Sequence, residues 1–165
     1  PSPPSRGGVR IKPCEEAVWH NPLAPTSGEL IRHGDFSPFN AIWRNDDLVR
    51  IVDWDFAQPG DAISDLAYLA WYAVPLMDDH RLVEFGLQVV DRVDRLRSLC
   101  AAYGVHEPAA VAAEAVRIIK LEALQTVELA GRGIHPWVRF AADGNPKKLQ
   151  EEAGWIENWR AAVAL

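Results

Sequence analysis

Residues 33–55 read HGDFSPFNAIWRNDDLVRIVDWD, and this stretch determines the fold that we expect for the chain. Two short runs rich in apolar and β-branched residues, 41–44 and 48–52, lie on either side of the turn-forming triplet 45–47. This pattern predicts a β-hairpin, because such runs favour strands while Asn and Asp favour tight turns. The hairpin brings the chain back towards the loop that precedes it.

The same stretch carries three side chains with oxygen donors, namely Asp35, Asn40 and Asp53. Asp35 and Asn40 belong to one loop, and the hairpin is expected to deliver Asp53 beside that loop at the end of its second strand. Phosphoryl transfer needs a carboxylate that accepts a hydroxyl proton and oxygen ligands that hold magnesium, all on one rigid frame. The spacing of these three residues therefore favours phosphoryl-transfer chemistry.

The rest of the chain is typical of helices. Pro59-Gly60 interrupts the chain, and Asp61 is a candidate cap for a helix that begins near Ala62. A short strand is expected at Glu29–Arg32. Further helices are predicted at 87–103 before Gly104, at 108–130 before Gly131, at 137–142 and at 146–162. The expected fold class is α+β, mostly α, with a short β-hairpin followed by a helical bundle.

The composition favours one domain behind a short irregular segment. Residues 1–28 contain six of the twelve prolines, so we expect this N-terminal part to lack regular structure. Residues 29–165 are then the catalytic domain, and a hydrophobic content of 48% is enough for a packed core. No feature of the sequence indicates an oligomeric state.

Charge and hydropathy exclude several classes of partner. The net charge of -6 argues against nucleic acid, because no basic stripe is available to neutralise phosphates. The longest uncharged apolar run, 66–77, has twelve residues, whereas a membrane helix needs about 20. Residues 1–8 lack the apolar stretch of a signal peptide, and two cysteines are too few for a disulfide framework. We therefore expect a cytoplasmic protein with no membrane partner.

The motif H-G-D-x-x-x-x-N at 33–40, followed by I-x-D-x-D at 51–55, resembles the active-site signature of the aminoglycoside phosphotransferase and choline kinase families. This resemblance implies a bilobal, protein-kinase-like fold in which these residues belong to the C-terminal lobe. It also implies magnesium as cofactor and ATP as co-substrate. The sequence of residues 54–60, WDFAQPG, resembles that of a subgroup of trifolitoxin-immunity-like phosphotransferases.

By this resemblance Asp35 is the catalytic base, and Asn40 and Asp53 are the magnesium ligands. His33 supports the loop by hydrogen bonding. Asp55 lies nearby in an auxiliary role, although it also fits a solvated acid at a strand end.

A second motif, G-D-x-x-x-D-L-A at 60–67, resembles a helix start of the same family. There the second Asp, which corresponds to Asp65, accepts hydrogen bonds from the backbone of the catalytic loop. An alternative interpretation is that Asp65 merely places a negative charge in the first turn of a helix, where it is favourable.

The parts that hold ATP in such kinases are not recognisable. A glycine-rich loop is not found, and Lys12 is rejected as the strand lysine because Pro13 follows it. Only 32 residues precede His33, so we expect the nucleotide lobe to be absent and the residues that bind the nucleotide remain unknown. The chain is then a truncated protein or a degenerate relative.

The expected function is ATP- and magnesium-dependent transfer of a phosphoryl group to the hydroxyl of a small molecule, weak or inactive in this chain alone. The alternative is a non-catalytic binding or immunity protein that keeps the fold. A metal-dependent hydrolase is a weaker option, because no pair of histidine ligands is present. The acceptor is not identified, and five acidic residues are equal candidates for binding it: Glu114, Glu122, Glu128, Asp143 and Glu157.

Overall fold

The computed structural model describes residues 17–163. Residues 17–29 form turns and bends, and residues 1–16 of the predicted irregular segment lie outside the described residues. The strands are β1 (Leu30–Arg32), β2 (Ala41–Arg44), β3 (Asp47–Ile51) and β4 (Gln58–Gly60), with a 3-10 turn at Pro38–Asn40. The helices are α1 (Ala62–Ala73), α2 (Asp79–Glu84), α3 (Arg92–Tyr103), α4 (Pro108–Gly131), α5 (Trp137–Ala142) and α6 (Asn145–Ala162).

The predicted hairpin is confirmed as the antiparallel pair β2–β3. Arg44 lies opposite Asp47, so that the turn consists of two residues rather than three, and β3 begins one residue earlier than expected. Asn45 occupies the turn at φ 56°, a conformation that Asn tolerates better than most residues. The register shifts after Ile42, a local irregularity of the bulge type. The hairpin therefore ends its second strand at Ile51, two residues before Asp53.

The strand predicted at residues 29–32 is confirmed as β1, but its partner was not anticipated. β1 pairs antiparallel with β4, and Ile31 lies opposite Pro59. The prediction that Pro59-Gly60 only interrupts the chain is therefore wrong. In a sheet of two strands every strand is an edge strand, and a proline that donates no hydrogen bond is tolerated there.

Helix α1 begins at Ala62 and has Asp61 as its N-cap residue, both as predicted, but the side-chain capping bond expected of an aspartate is missing. Asp61 occupies the N-cap position, yet its side chain makes no capping hydrogen bond. Its backbone oxygen instead accepts a hydrogen bond from the N–H of Ser64 at 3.0 Å. The side of α1 that carries Leu66, Ala70 and Trp71 is buried in the bundle.

The single helix predicted at 87–103 is wrong at its beginning. The helix α3 begins only at Arg92. The short helix α2, which precedes the predicted range, was not anticipated. The Asp91 carboxylate accepts the N–H of Asp94 at 3.0 Å, and this side-chain bond defines the start of α3. The predicted end is confirmed, because Gly104 at φ 80° caps the helix in the left-handed conformation.

The remaining helices agree with the prediction within one residue. Gly131 is the last residue of α4 rather than its cap, and α6 begins at Asn145. α4 packs against α1, α5 and α6 and forms the centre of the bundle. No helix within residues 17–163 has the length and hydropathy needed to cross a bilayer. The fold is mixed and mostly helical, and its core contains Leu66, Trp71, Leu96, Ile119, Ala153 and Ile156.

Candidate functional site

The loop at residues 33–40 is attached to the helical bundle through Asp65 in the first turn of α1. One carboxylate oxygen of Asp65 accepts the backbone N–H of His33 at 2.7 Å, and the other accepts that of Gly34 at 3.1 Å. This is the bonding pattern that the family resemblance implies for Asp65. Because two consecutive N–H groups share one carboxylate, the loop backbone has a defined position relative to α1.

The same loop is attached to the hairpin through Val52. The ring Nε2 of buried His33 lies 2.9 Å from the carbonyl oxygen of Val52, and the N–H of Val52 donates to the carbonyl of Asn40 at 2.9 Å. The N–H of Asp35 also donates to Nδ1 of His33 at 3.3 Å. In this arrangement Nδ1 of His33 accepts the hydrogen bond from Asp35, and Nε2 donates to the carbonyl of Val52. The residue after Val52 is Asp53, which the bonds place beside the loop.

Gly34 occupies a position that no other residue fits. Its φ of 82° lies in the left-handed region, and a Cβ built there would lie 2.1 Å from the carbonyl oxygen of Phe56. A side chain at this position would therefore displace the loop from the segment that follows Asp53.

Asp35 is half-buried and is held by two side chains. The Nδ2 group of Asn40 donates to the Asp35 carboxylate at 3.0 Å and to its backbone carbonyl at 2.9 Å, and the hydroxyl of Tyr68 also hydrogen-bonds the carboxylate. Burial raises the pKa of Asp35 above its usual value, although these two bonds oppose the rise. The negative charge of Asp53 raises this pKa further, so the two carboxylates are close enough to interact.

Asp53 itself is exposed and has φ 64°, an unusual conformation for a residue other than glycine. Its carboxylate makes no hydrogen bond or ion pair within residues 17–163. Asn40 uses its Nδ2 group for both of its side-chain bonds, which leaves its amide oxygen without a partner in the same range. Two such oxygen donors fit Mg²⁺, which usually binds one or two protein ligands and completes its shell with water and phosphate oxygens.

Other potential metal ligands are not concentrated here. Among the described residues no group of three or more His, Cys, Asp or Glu side chains is arranged to hold a metal ion. Asp55 is exposed and makes no side-chain hydrogen bond or ion pair in residues 17–163. The oxygen donors beside Asp35 that have no partner within residues 17–163 include the amide oxygen of Asn40 and the carboxylate of Asp53.

Two cavities meet at Asp35. The first has a volume of about 280 Å³ and lies between the loop and the helical bundle, with walls from β1, β4, α1, α2, α4, α5 and α6. The second, of about 310 Å³, is bordered by Ser37 and Asn40 together with apolar side chains such as Phe39, Met77 and Phe85. A small molecule in either cavity can bring a hydroxyl group to the Asp35 carboxylate.

The structure distinguishes the five acidic residues that the sequence left equal. Glu122 borders the first cavity. Burial raises its pKa to about 8, and the charge of Asp35 contributes to the rise. Each of the other acidic candidates is engaged elsewhere or absent from the walls of both cavities. Glu114 pairs with Arg117 at 2.6 Å, Glu157 pairs with Lys120 at 2.8 Å, Glu128 pairs with Arg132 at 3.7 Å, and Asp143 ends α5.

Sequence reasoning missed Tyr68, Arg32 and Gln58, all of which border the first cavity. Tyr68 follows Asp65 by one helical turn, so both side chains lie on the face of α1 that meets the loop. That spacing was a usable signal for Tyr68. Gln58 had no comparable signal, because its strand β4 was not predicted.

Comparison with known proteins agrees with this geometry. The chain matches the phosphotransferase enzyme family over residues 6–97, which is more than half of its length. It is also 33% identical over 99 residues to a trifolitoxin immunity protein of Rhizobium leguminosarum bv. trifolii. That alignment covers 58% of this chain and 38% of the relative, so the chain spans less than half of the relative's length. No solved structure matches the chain. The resemblance inferred from the active-site motifs is confirmed, and the chain belongs to the phosphotransferase enzyme family.

Proposed function

We propose that this protein takes part in ATP- and magnesium-dependent transfer of a phosphoryl group to a hydroxyl of a small molecule. Asp35 acts as the base, and Asn40 and Asp53 hold the magnesium ion. The observation that carries the proposal is the pair of bonds to Val52, which sets Asp53 beside the loop that contains Asp35 and Asn40. We also propose that residues 29–165 correspond to the C-terminal lobe of a kinase-like fold.

Asp35 positions the acceptor and receives its proton. Its carboxylate faces both cavities, and the bonds from Asn40 and Tyr68 restrict its orientation. The acceptor hydroxyl oxygen bonds to the terminal phosphorus of ATP while the bond from that phosphorus to the bridging oxygen breaks. ADP leaves with the electron pair, and the hydroxyl proton passes to Asp35. The raised pKa of Asp35 favours its acceptance of that proton.

The other residues of the site maintain this arrangement. Magnesium, when bound, neutralises the charge that develops on the phosphate oxygens. Asn40 and Asp53 offer it two oxygens from segments that the Val52 bonds hold together. His33 and Asp65 support the loop, because the side chains of both form hydrogen bonds with backbone groups. Asp55 is assigned an auxiliary role in the same region.

The proposal is tested by measuring ADP release with magnesium and ATP across aminoglycosides, choline and sugars. The assay uses this chain and a longer version extended upstream. Asp35→Asn and Asp53→Ala should abolish the release in whichever protein is active, whereas Asp46→Asn, in the exposed hairpin turn, should not change it. Turnover that survives in Asp35→Asn would contradict the assigned mechanism.

A second candidate function is non-catalytic binding that confers immunity. The observation that favours it is the similarity to a trifolitoxin immunity protein. It is distinguished by expressing the wild type, Asp35→Asn and Asp53→Ala in a trifolitoxin-sensitive host. Full protection by both variants, with no heat on titration of magnesium and ATP, would support binding alone. Loss of protection in both folded variants would support phosphoryl transfer.

A further inference from the structure

The first cavity contains an arginine, Arg32, whose side chain forms no ion pair within residues 17–163. Three arginines border this cavity. Arg81 pairs with Glu152 at 2.7 Å, and Arg117 pairs with Glu114 at 2.6 Å. The side chain of Arg32 makes no hydrogen bond and no ion pair with any of residues 17–163. A guanidinium group at a cavity without a partner is suited to an anionic group such as a carboxylate, which it binds through two parallel hydrogen bonds.

The stem of Arg32 is held in place by the small sheet. Arg32 lies opposite Gln58 in the β1–β4 pair. A Cβ built on Gly60 would lie 2.7 Å from Cδ of Arg32, so the arginine stem packs directly on the glycine backbone. The side chain is half-buried, and its charged end is presented to the cavity by a defined backbone rather than by a mobile loop.

On the α4 side of the same cavity, Glu122 has neither a hydrogen bond nor an ion pair within the described part of the chain. The positive charge of Arg32 lowers the pKa of Glu122 against the larger effect of burial, so the two groups influence each other. They do not form an ion pair, because no N–O distance between them is within 4.0 Å. The cavity thus keeps a cation and a carboxyl group apart, with Asp35 as a second carboxyl group. An ammonium group bound beside Glu122 would favour the ionised form of its carboxyl.

Two neutral polar side chains in the walls also lack a hydrogen-bond partner in the described part of the chain. Gln58 is 5% exposed and Thr126 is 3% exposed, and both border the cavity. Neither side chain makes a hydrogen bond within residues 17–163. The amide of Gln58 and the hydroxyl of Thr126 can therefore form hydrogen bonds with a ligand that carries several polar atoms.

We propose that the first cavity binds a small hydroxylated zwitterion of the amino-acid class, with its carboxylate on Arg32 and its ammonium group on Glu122. The assignment of the ligand as acceptor rests on the proposed function, since its hydroxyl then lies against Asp35. The cavity volume of about 280 Å³ fits one small molecule. It lies just below the range of roughly 300–1,000 Å³ that is usual for drug-sized ligands, which argues against a multi-ring aminoglycoside.

Other classes of ligand leave at least one charged side chain of the cavity without a partner. A simple cation such as a quaternary ammonium compound would satisfy the carboxyl groups but would leave Arg32 without an anion. The second cavity does not suit a zwitterion, because Asp35 is its charged wall residue and most of its other walls are apolar. The observed pattern of charges therefore assigns the zwitterion to the first cavity.

The test is calorimetric titration of this chain with L-serine and its longer homologue L-homoserine. Each is compared with its carboxamide, which lacks the carboxylate, with its N-acetyl derivative, which lacks the ammonium group, and with choline. The free amino acids should bind at least about tenfold more tightly than these analogues, which corresponds to one well-formed charged contact. Arg32→Gln should remove the preference over the carboxamide, and Glu122→Gln should remove the preference over the N-acetyl derivative.

The matched control is Arg44→Gln, which removes an exposed arginine of the hairpin and should not change binding. Circular dichroism confirms that each variant is folded, and Arg32→Lys, which keeps the charge, should retain part of the affinity. Equal or tighter binding of choline or of the carboxamide would overturn the inference, as would no binding of either amino acid up to about 10 mM. These outcomes leave the proposed function intact if ADP release still depends on Asp35. Loss of that dependence with unchanged zwitterion binding would overturn the proposed function alone.

Discussion

The loop and hairpin at residues 30–60 and the helical bundle at residues 62–162 are stabilised in different ways. In the hairpin, large apolar side chains remain about half exposed, including Ile42 at 47% and Trp43 at 55%. In the bundle, equivalent side chains such as Ile119 are fully buried. Hydrogen bonds that Asp65 accepts from the loop backbone, and bonds between the loop and Val52, hold the loop in position, whereas apolar packing holds the helices.

The residues proposed for catalysis and the residues that stabilise the fold therefore lie largely in different regions. The proposed catalytic groups Asp35, Asn40 and Asp53 belong to the hydrogen-bonded unit, and the bundle provides the wall with Glu122 against which a ligand is placed. Because few apolar contacts hold the hydrogen-bonded unit, its geometry depends on individual polar bonds. Substitutions in the two regions should therefore affect different measured quantities.

The largest expected effect is on catalysis. Asp35→Asn keeps the shape of the side chain but removes the group that receives the hydroxyl proton. We expect the rate of ADP release to fall by about 10²–10⁴-fold, the usual contribution of a general base. The free energy of unfolding should change little, because Asp35 is not part of the apolar core. A large loss of stability in this variant would show that the two regions are not separable in this way.

The next effect is on stability and compares the same substitution in the two regions. Ile119→Ala removes a fully buried side chain and should lower the free energy of unfolding by about 2–5 kcal/mol. Ile42→Ala removes a side chain that is 47% exposed and should cost less than about 1 kcal/mol. Urea denaturation followed by circular dichroism measures both. Similar losses would contradict the contrast between hairpin and bundle.

A smaller effect is expected where the two regions are joined. Asp65→Ala leaves the N–H groups of His33 and Gly34 without their acceptor, and we expect a loss of about 1–3 kcal/mol in the free energy of unfolding. Hydrogen exchange should increase in loop 33–40 more than in α4. A uniform increase across both would mean that Asp65 stabilises the whole domain and not the loop in particular.

The smallest effect concerns the pH dependence of stability. Glu122 has a pKa of about 8 in the folded protein against a usual value of 4.5, so the folded state retains a proton that the unfolded state has lost. Its contribution to stability therefore falls as the pH rises between these two values. Glu122→Gln removes this loss and should be more stable than the wild type at pH 8 by on the order of 1 kcal/mol, with less difference near pH 5.

Thermal melts of both proteins across this pH range measure the difference. Glu152, with a pKa of about 7, contributes a slope of the same sign to both proteins and largely cancels in the comparison. Arg32 and Asp35 are the other charged groups that act on Glu122. An identical pH dependence in wild type and variant would show that Glu122 is ionised in the folded protein at neutral pH.

Most helices and the hairpin were predictable, because their signals are local. Gly104 ends α3, and the turn at Asn45 joins two strand-forming runs. Neither feature depends on contacts with distant parts of the chain. The errors arose where a distant partner or a competing side chain decided the outcome. Pro59 enters a strand because β1 lies beside it, and the bond from the N–H of Asp94 to Asp91 starts α3 five residues later than expected.

For the site, the sequence by itself determined the chemical groups. Asp35, Asn40 and Asp53 lie within nineteen consecutive residues, and a loop followed by a hairpin is enough to bring them near one another. Only the tertiary structure decided which residues share the cavity with them. Arg32 and Glu122 are ninety residues apart, and no local rule connects them. Their proximity depends on the packing of α4 against α1, which places Glu122 in the wall of the cavity beside the loop.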